Sequence, residues 1–467
     1  MEINLESNLE NNFESAEKSE AKAKMKPNSL YSAIWRWHFY AGIFFAPLIL
    51  ILTFSGIIYL FKPQIENVIY HDQLFIKQES KVLSPEQLIK KTVSAYPNSI
   101  ITSYTPSSSK NTSTQLEIDQ NGDVKTVFIN QYNGKILGDR HDDDRLVNKV
   151  VKIHGELMAG KIGDRLVEMS ACWAIILLIT GIYLWWPRKK DIIMGILLPR
   201  FSKGKRVLLR DLHAVPAFWF SIFISLFIFT GLPWSGLLGD YINRLASSTH
   251  TSYPTGLYDG NIPSSVIPSK EVAKVPWAVE KLPVPTSNII KAPSKSVSDI
   301  ISIVDKANVH KGYTITFPTD EAGVYTVSVV PPKPEDQATL HIDQYSGKKL
   351  MDLRFADYGI AAKIIEIGIA LHEGHYFGVA NQIIDLIICL VLAFTTVLGL
   401  WMWWKRKPTG QLGSPTVPKD YKLAKGVIVL IVLLAILLPL VGLSLLIALT
   451  LDILIIRRIS FLSKIFN

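Results

Sequence analysis

The sequence predicts a polytopic α-helical membrane protein made of two parallel repeats, each a span, a small extracytoplasmic α+β domain and a second span. A C-terminal helical hairpin completes the prediction. Three observations support it: long apolar runs, basic residues concentrated in short loops, and histidines and turn residues that recur at matched spacings. A chain that is 48% hydrophobic has the apolar residues that this requires.

Four apolar runs match the roughly 20 helical residues that cross a hydrocarbon core. They are Tyr40–Phe61, Val167–Trp186, Pro216–Trp234 and Ile383–Trp404. A fifth stretch, Gly426–Ile456, is too long for one span and is interrupted by Pro439 and Gly442, so we predict two short helices there and six spans in total. Because about 30 mostly polar residues precede the first span, it is predicted to be an uncleaved anchor rather than a signal peptide.

The basic loops give the orientation, because Lys and Arg concentrate on the cytoplasmic side of a membrane. The segment 188–212 is rich in Lys and Arg and has only Asp191 and Asp211 against them, and the segment 405–425 is basic as well. Both termini are therefore predicted to be cytoplasmic. The net charge of +9 belongs mainly to these loops, which favours contact with membrane lipid and no nucleic acid.

These features divide the chain into segments. The prediction is a polar cytoplasmic N-terminus 1–31, span 1 at 32–61, an extracytoplasmic domain 62–163, span 2 at 164–187, a basic loop 188–212, span 3 at 213–235, a linker and second extracytoplasmic domain 236–380, span 4 at 381–404, a cytoplasmic loop 405–425, a hairpin 426–456 and a tail 457–467. Cys172 and Cys389 lie inside spans and are predicted to be apolar packing residues.

Each outer domain is predicted to contain one helix and a small antiparallel sheet. In the first, Ser84 caps a helix that begins at Pro85, and Asn121-Gly122 indicates a hairpin turn between two strands. The second has a predicted helix at 298–307 and strands at 313–317, 324–330 and 339–343. The stretch 252–295, rich in Pro and Ser, is predicted to be an extended linker.

An internal repeat is the most informative feature of the sequence. Gln131–Asp139 resembles Gln344–Asp352. Histidines recur as well: His38 and His213 each lie 18 residues before a glycine, Gly56 and Gly231, and His154 and His372 each lie 31 residues before a tryptophan, Trp185 and Trp403. Two parallel repeats usually pack around a pseudo-two-fold axis along the membrane normal.

The predicted topology sorts these four histidines into two pairs. His38 and His213 begin spans 1 and 3 at the cytoplasmic side, and His154 and His372 precede spans 2 and 4 on the outer side. A two-fold axis would bring one imidazole to each face of a flat cofactor, so the pattern favours two haem sites. A proton relay and a structural role at the interface are the alternatives. Zinc is disfavoured, because no Cys or carboxylate accompanies the pairs at ligand spacing.

The distance between His154 and Trp186 predicts a break in the helix. A straight helix between them would extend roughly 48 Å, far more than the bilayer core. Either the outer pair of histidines lies at or above the outer membrane interface, or the chain bends near Gly160 and Gly163, and in the second repeat near Gly374 and Gly378. We favour the bends, which would lower the histidines towards the helix bundle.

His375 stands three residues after His372 and has no counterpart in the first repeat, where Leu157 takes its place. The pair lacks the i, i+4 spacing of helical zinc proteases. His375 is therefore a candidate rim residue or substitute ligand.

Several motifs together resemble the PepSY-associated transmembrane protein family, over roughly 32–408. They are Trp35-Arg36-Trp37-His38-Phe39-Tyr40-Ala41-Gly42, Gly181-Ile182-Tyr183-Leu184-Trp185-Trp186-Pro187-Arg188, Arg210-Asp211-Leu212-His213-Ala214, Gly231-Leu232-Pro233-Trp234-Ser235 and Leu371-His372-Glu373-Gly374. The resemblance implies two extracytoplasmic PepSY domains, a bacterial inner membrane and a role in iron acquisition. Related members are described as haem-containing ferric-siderophore reductases, which makes His38, His154, His213 and His372 the candidate ligands of two haem b groups.

The expected function is then a di-haem conduit that carries electrons across the inner membrane and reduces a ferric siderophore or ferric chelate at the periplasmic face, releasing iron. No Gly-rich dinucleotide motif follows a strand, so the electron donor would be a separate cytoplasmic protein or a membrane quinol. The alternatives are an iron or siderophore transporter without redox chemistry, for which Glu168 and Asp385 are the carboxylates to consider, and a membrane-anchored PepSY module that regulates a peptidase.

Overall fold

The computed structural model describes residues 29–187, 195–249, 251–252, 267–289, 292–413, 433, 436–451, 454–455, 458–459 and 461. Most of the predicted N-terminus, the first part of the basic loop, the middle of the linker and most of the predicted hairpin and tail lie outside these residues. The prediction of two helices in the hairpin therefore concerns residues that are largely not described.

Four helices in the described residues are long and apolar enough to cross a membrane: Ile34–Leu60, Gly160–Trp185, Lys205–Trp234 and Val379–Arg406. They coincide with the four predicted isolated spans. The protein is therefore a multi-pass membrane protein. One shorter apolar helix, Pro439–Ala448, lies within the predicted hairpin.

The helices are numbered in chain order. They are α1 (Ser29–Leu60), α2 (Lys62–Ile69), α3 (His71–Leu74), α4 (Pro85–Ala95), α5 (Leu146–Glu156), α6 (Gly160–Trp185), α7 (Lys205–Gly231), α8 (Leu238–Ser248), α9 (Ser269–Val272), α10 (Val297–Lys306), α11 (Ile360–His372), α12 (Val379–Arg406) and α13 (Pro439–Leu451). The spans are α1, α6, α7 and α12.

The strands form one antiparallel sheet. They are β1 (Ile100–Thr105), β2 (Thr114–Gln120), β3 (Asp123–Ile129), β4 (Ile136–Arg140), β5 (Thr314–Thr316), β6 (Val324–Val329), β7 (Ala338–Asp343) and β8 (Lys349–Arg354). Their order is β4-β3-β2-β1-β5-β6-β7-β8. The two predicted outer domains therefore share a sheet, joined where Ser103 pairs with Thr316 and Tyr104 with Ile315. Pairing the two edge strands leaves fewer backbone groups without partners.

Tertiary contacts divide the described chain into two compact units. One contains the residues up to Ile49, Met169–Ser221 and the residues from Phe394 onward, and the other contains Leu50–Glu168 and Ile222–Ala393. The sheet and its helices belong to the second unit.

Helices α4 and α10 cover one face of the sheet. Each begins with a serine cap, Ser84 or Ser296, that accepts a hydrogen bond from the backbone three residues later. Their apolar faces pack on the strands. Ile300 of α10, Leu116 of β2 and Leu340 of β7 are completely buried in this contact. The matched sequences Gln131–Asp139 and Gln344–Asp352 provide the turns from β3 to β4 and from β7 to β8, in which Gly134 and Gly347 have φ of 72° and 73°.

The prediction of an extended linker at 252–295 is wrong for residues 267–289. This segment forms α9 and a short 3-10 turn at Trp277–Val279. Val279 and Leu282 are completely buried and pack with Met351 and Leu353 of β8. The sequence suggested a linker because the segment is rich in Pro and Ser and its apolar residues follow neither helical nor strand periodicity. These apolar residues nevertheless cover the sheet.

The predicted bends before spans 2 and 4 are confirmed. Helix α5 ends at Glu156, the next two residues, Leu157 and Met158, have φ of 49° and 57°, and Gly160, which begins α6, has φ of 55°. Helix α11 ends at His372, and Gly374 and Gly378 have φ of 75° and 62° before α12 begins. Left-handed backbone ends a helix and reverses the chain. His154 and His372 therefore lie on short helices that precede the spans.

Gly163 tests the first bend. A Cβ atom at this position would overlap the carbonyl oxygen of Glu156, whereas one at Gly155 would have nothing within 4 Å. We expect Gly163→Ala to lower the free energy of unfolding by about 1–3 kcal/mol, because the two chain segments must separate. Gly155→Ala is the matched control and should be neutral or stabilising. Thermal unfolding of both variants in detergent measures the difference, and equal melting temperatures would contradict the close approach.

His341 on β7 makes the stability depend on pH. The side chain is completely buried, its Nδ1 lies 3.0 Å from Thr326 Oγ1, and within the described residues its Nε2 has no hydrogen-bond partner. Burial lowers the pKa of His341 to about 4, from about 6.5 in an unfolded chain. The unfolded state therefore binds the proton more readily between these pH values.

We expect the free energy of unfolding to fall as the pH decreases from 6.5 to 4, with His341 contributing up to about 3 kcal/mol. His341→Gln should flatten this dependence, and the exposed His310→Gln should not. Melting temperatures between pH 7.5 and 4.5 provide the measurement. Parallel profiles for wild type and His341→Gln would show that the imidazole is not a source of the acid sensitivity.

Candidate functional site

The four repeated histidines meet in two pairs, one in each compact unit. The ring centroids of His38 and His213 are 6.5 Å apart, and their planes are inclined by 80°. The centroids of His154 and His372 are 6.3 Å apart, with planes inclined by 56°. Each pair takes one histidine from each repeat, which is the grouping that the topology predicted. We call them the His38 pair and the His154 pair.

Hydrogen bonds at Nδ1 orient the His38 pair. His213 Nδ1 lies 2.7 Å from the carbonyl oxygen of Thr395. His38 Nδ1 lies 2.9 Å from Thr180 Oγ1, whose own hydrogen is donated to the carbonyl oxygen of Ile176 at 2.7 Å. Because both oxygens must accept, each Nδ1 carries the ring hydrogen, and each Nε2 keeps a free lone pair.

The His154 pair has the same tautomer. His154 Nδ1 lies 3.0 Å from the carbonyl oxygen of Leu52, and His372 Nδ1 lies 2.8 Å from that of Phe227. A carbonyl oxygen only accepts, so these nitrogens donate. Within the part of the chain that the structure describes, Nε2 of the four histidines has no hydrogen-bond partner. Nε2 is therefore the nitrogen available for a ligand or metal in all four.

In each repeat, the histidine that belongs to one span is hydrogen-bonded to the other span. His38 on α1 is anchored by α6, and His154, which precedes α6, is anchored by α1. His213 on α7 is anchored by α12, and His372, which precedes α12, is anchored by α7. Every span therefore provides one anchoring site, which we call a socket. Every histidine occupies the socket on the other span of its own repeat.

A hydroxyl group supports the imidazole in three of the four sockets. Ser55 Oγ lies 3.0 Å from His154 Nδ1, and Thr230 Oγ1 lies 3.4 Å from His372 Nδ1, in addition to the Thr180 contact to His38. In the fourth socket Leu398 stands at the corresponding position. These hydroxyls were not identified from the sequence, although a Ser or Thr immediately before a glycine in a span was visible in three spans.

A glycine completes every socket. A Cβ atom would lie 3.3 Å from the histidine Cε1 at Gly56, 3.2 Å at Gly181, 2.9 Å at Gly231 and 3.3 Å at Gly399. Such distances are tighter than ordinary van der Waals contact. The absence of a side chain lets the imidazole lie directly against the helix backbone. The sequence repeat used Gly56 and Gly231 only as markers of spacing and missed this role.

Burial keeps the His154 pair neutral. Burial, followed by the neighbouring His372, lowers the pKa of His154 to about 4. Burial also lowers the pKa of His372. Neutral imidazole is the form that coordinates a metal, so no proton has to be displaced near neutral pH.

The ring separation suits a metal between two Nε2 atoms. A metal–nitrogen bond of about 2.0 Å on each side, with about 1.2 Å from nitrogen to ring centroid, places the centroids about 6.4 Å apart. In the described residues, no group of three or more His, Cys, Asp or Glu side chains could hold a metal ion. Two imidazoles suit an iron whose other four positions come from a porphyrin, so the donor set fits haem.

A comparison with known protein families matches most of the chain. The family model of the PepSY-associated TM region matches residues 35–406. The chain belongs to that family. The match includes all four paired histidines, the four spans and the whole sheet, so the resemblance noted in the sequence is confirmed. Among curated proteins, no sequence matches.

In this PepSY-associated protein, His375 belongs to a different network from the pairs. Its Nε2 lies 2.6 Å from Glu373 Oε2, and its Nδ1 lies 2.9 Å from the carbonyl oxygen of Pro332. Glu373 also accepts a hydrogen bond of 2.7 Å from the Tyr59 hydroxyl. Although burial opposes it, the contact with Glu373 raises the pKa of His375. Both ring nitrogens are thus engaged, which favours a rim position over a role as substitute ligand.

The two carboxylates considered for transport hold backbone and side-chain amides. Glu168 accepts hydrogen bonds from the backbone N–H groups of Leu237 and Leu238, at 2.8 and 3.1 Å, at the start of α8. Asp385 accepts one of 2.7 Å from the Asn381 side chain. Glu168 thus holds the start of α8, and Asp385 holds the side chain of Asn381, which also donates to the carbonyl oxygen of Leu371 at the end of α11.

Gly231 tests the socket. We expect Gly231→Ala to lower the free energy of unfolding by about 1–3 kcal/mol, because its methyl group must displace the His372 ring. The matched control is Gly42→Ala in α1, where a Cβ atom would only touch Leu177 at 4.0 Å. Thermal unfolding of both variants in detergent gives the comparison. Equal melting temperatures would show that the glycine is not required for the position of the imidazole.

Proposed function

We propose that the protein is a di-haem oxidoreductase of the bacterial inner membrane, which passes electrons to a ferric siderophore or other ferric chelate at the periplasmic face. The main support is the tautomer of the paired histidines, which leaves Nε2 free in all four, together with the separation of the ring centroids, 6.5 and 6.3 Å. A structural role or a proton relay would not require the same free nitrogen in all four rings.

His38 and His213 would hold one haem b, and His154 and His372 the other. Haem iron supplies one-electron chemistry when bound. The residues of the chain bind and orient: the sockets fix the ring planes, and Nδ1–H donation to an oxygen makes each imidazole a stronger ligand. No general acid or base is needed at these sites.

Iron release follows from the ligands of the chelate. Hard oxygen donors hold Fe(III) more tightly than Fe(II), so reduction weakens the complex. Under the proposed orientation, with both termini cytoplasmic, the His154 pair and the sheet lie on the periplasmic side. The electron donor would be a separate cytoplasmic protein or a membrane quinol, with the His38 pair on its side of the membrane.

Haem content tests this function. We expect the purified protein, expressed with ample haem, to show a low-spin b-type spectrum with about two haems per chain. Alanine at any one of the four histidines should remove about one haem and abolish reduction of a ferric siderophore. His310→Ala, at an exposed position far along the chain from all four, is the control.

A colourless wild-type protein would rule out electron transfer by haem. In that case, iron uptake into sealed vesicles without reduction would identify a transporter. An effect on a partner peptidase would identify a regulatory module.

A further inference from the structure

The last two turns of α1 make contacts on both sides of the His154 pair. Ser55 Oγ lies 3.0 Å from His154 Nδ1. One helical turn further on, the Tyr59 hydroxyl donates a hydrogen bond of 2.7 Å to Glu373, the residue that follows His372. A single helix therefore contacts one imidazole of the pair directly and the other through one neighbouring residue.

Further contacts hold the turn after α11 against the end of α1. Gln382 donates a hydrogen bond of 2.8 Å to the carbonyl oxygen of Leu60, and Gln64 donates one of 3.0 Å to Gln382. At Gly374 a Cβ atom would lie 2.7 Å from Leu60 Cδ2, so the backbone of the turn is packed directly on that side chain. Packing thus limits how closely the turn approaches α1, and the hydrogen bond from Tyr59 keeps it from moving away.

A hydrogen bond between a tyrosine and a glutamate near the end of a span usually serves to satisfy a partly buried carboxylate. Glu373 does not depend on Tyr59 for its charge, because His375 Nε2 lies 2.6 Å from its other oxygen and forms an ion pair with it. His375 also ties the turn to the carbonyl oxygen of Pro332, at 2.9 Å. The bond from Tyr59 adds a separate connection, to the first span.

Duplication of the chain does not explain this bond. In the first repeat Gly155 follows His154, at the position of Glu373, and has no side chain to bond. In the second repeat Trp234 stands at the position of Tyr59. The bond is therefore particular to one side of the pair and was not copied with the sockets.

The separation of the two rings determines whether both can hold one metal. Their centroids are 6.3 Å apart, and metal–nitrogen distances in a formed site vary by only about 0.2 Å. The rings are anchored on different spans, His154 on α1 and His372 on α7. The bond from Tyr59 to Glu373 connects the His372 segment directly to the span that anchors His154.

We propose that Tyr59 and Glu373 are positioning residues, whose hydrogen bond sets the separation of the His154 and His372 imidazoles. The proposal rests on the proposed function, since this separation matters only for a metal that both rings hold. The Tyr59 hydroxyl acts through Glu373 on the backbone of His372, and neither side chain serves as a ligand.

The full-length protein with bound haem provides the first test. We expect Tyr59→Phe, which removes only the hydroxyl, to weaken haem binding at the His154 pair by about 10-fold in a haem titration. Glu373→Ala should have the same effect. Glu373→Gln should retain binding, because its amide oxygen still accepts a hydrogen bond. Tyr376→Phe is the matched control: this tyrosine lies in the same turn and also donates to a glutamate, Glu335, at 2.6 Å, but not to α1.

Electron paramagnetic resonance identifies the haem that changes, because the signal of a low-spin ferric haem depends on the angle between its two imidazole planes. These planes are inclined by 56° in the His154 pair and by 80° in the His38 pair. We expect Tyr59→Phe to shift or broaden the signal of the His154 pair alone, which a general loss of stability would not do. Wild-type signals and affinities in Tyr59→Phe and Glu373→Ala, or an equal change in Tyr376→Phe, would overturn the proposal.

A measurement that needs no haem separates this proposal from the proposed function. Spin labels on Val68→Cys in α2 and Phe377→Cys in the turn, both exposed positions, report the distance between the two segments, and the two native cysteines are buried. We expect Tyr59→Phe to broaden the distance distribution and Tyr376→Phe to leave it unchanged. This result in a colourless protein would reject only the redox function. An unchanged distribution in Tyr59→Phe would reject the positioning role, whether or not haem is bound.

Discussion

The hydrogen bond from each histidine Nδ1 to an oxygen of a neighbouring span determines what the paired rings can do. An imidazole without it could rotate, exchange tautomers or turn its lone pair away from its partner. With it, the ring hydrogen is held at Nδ1 and the lone pair of Nε2 stays free. In a site of low dielectric, leaving that N–H without an acceptor would cost about 1–3 kcal/mol. Orientation and stability thus have the same source.

Much of the remaining architecture is needed to bring the rings to these oxygens. Glycine must stand beside each ring, because a methyl group would occupy its place. The left-handed residues after α5 and α11 must turn the chain, because a histidine on a continuous helix would stand well above the bundle. The sheet joins the outer segments of both repeats through β1 and β5. Duplication alone would copy these features but would not by itself hold the copies side by side.

The features that could be predicted from the sequence are those that one segment determines by itself. Bilayer thickness identifies the four spans, and helix length demands the bends after His154 and His372. The sockets could not be foreseen, because a carbonyl oxygen has no sequence signal and a glycine in a span has many uses. The covering segment 267–289 was misread for a related reason: its buried residues gain their partners only from β8. Joining of the two sheets likewise depends on two edges meeting in space.

The socket of His213 shows which features of the sockets are required. Leu398 replaces the hydroxyl found at Ser55, Thr180 and Thr230, yet His213 still donates to a carbonyl oxygen, at 2.7 Å, the shortest of the carbonyl contacts. A hydroxyl is therefore not needed where a carbonyl oxygen accepts the ring hydrogen, although Thr180 Oγ1 is the acceptor for His38. An acceptor oxygen and a glycine occur in all four sockets. These two features determine the ring position and the tautomer together, because the glycine admits the ring and the oxygen holds its hydrogen at Nδ1. An additional hydroxyl beside Nδ1, as at Ser55 and Thr230, changes the basicity of Nε2 without changing the tautomer.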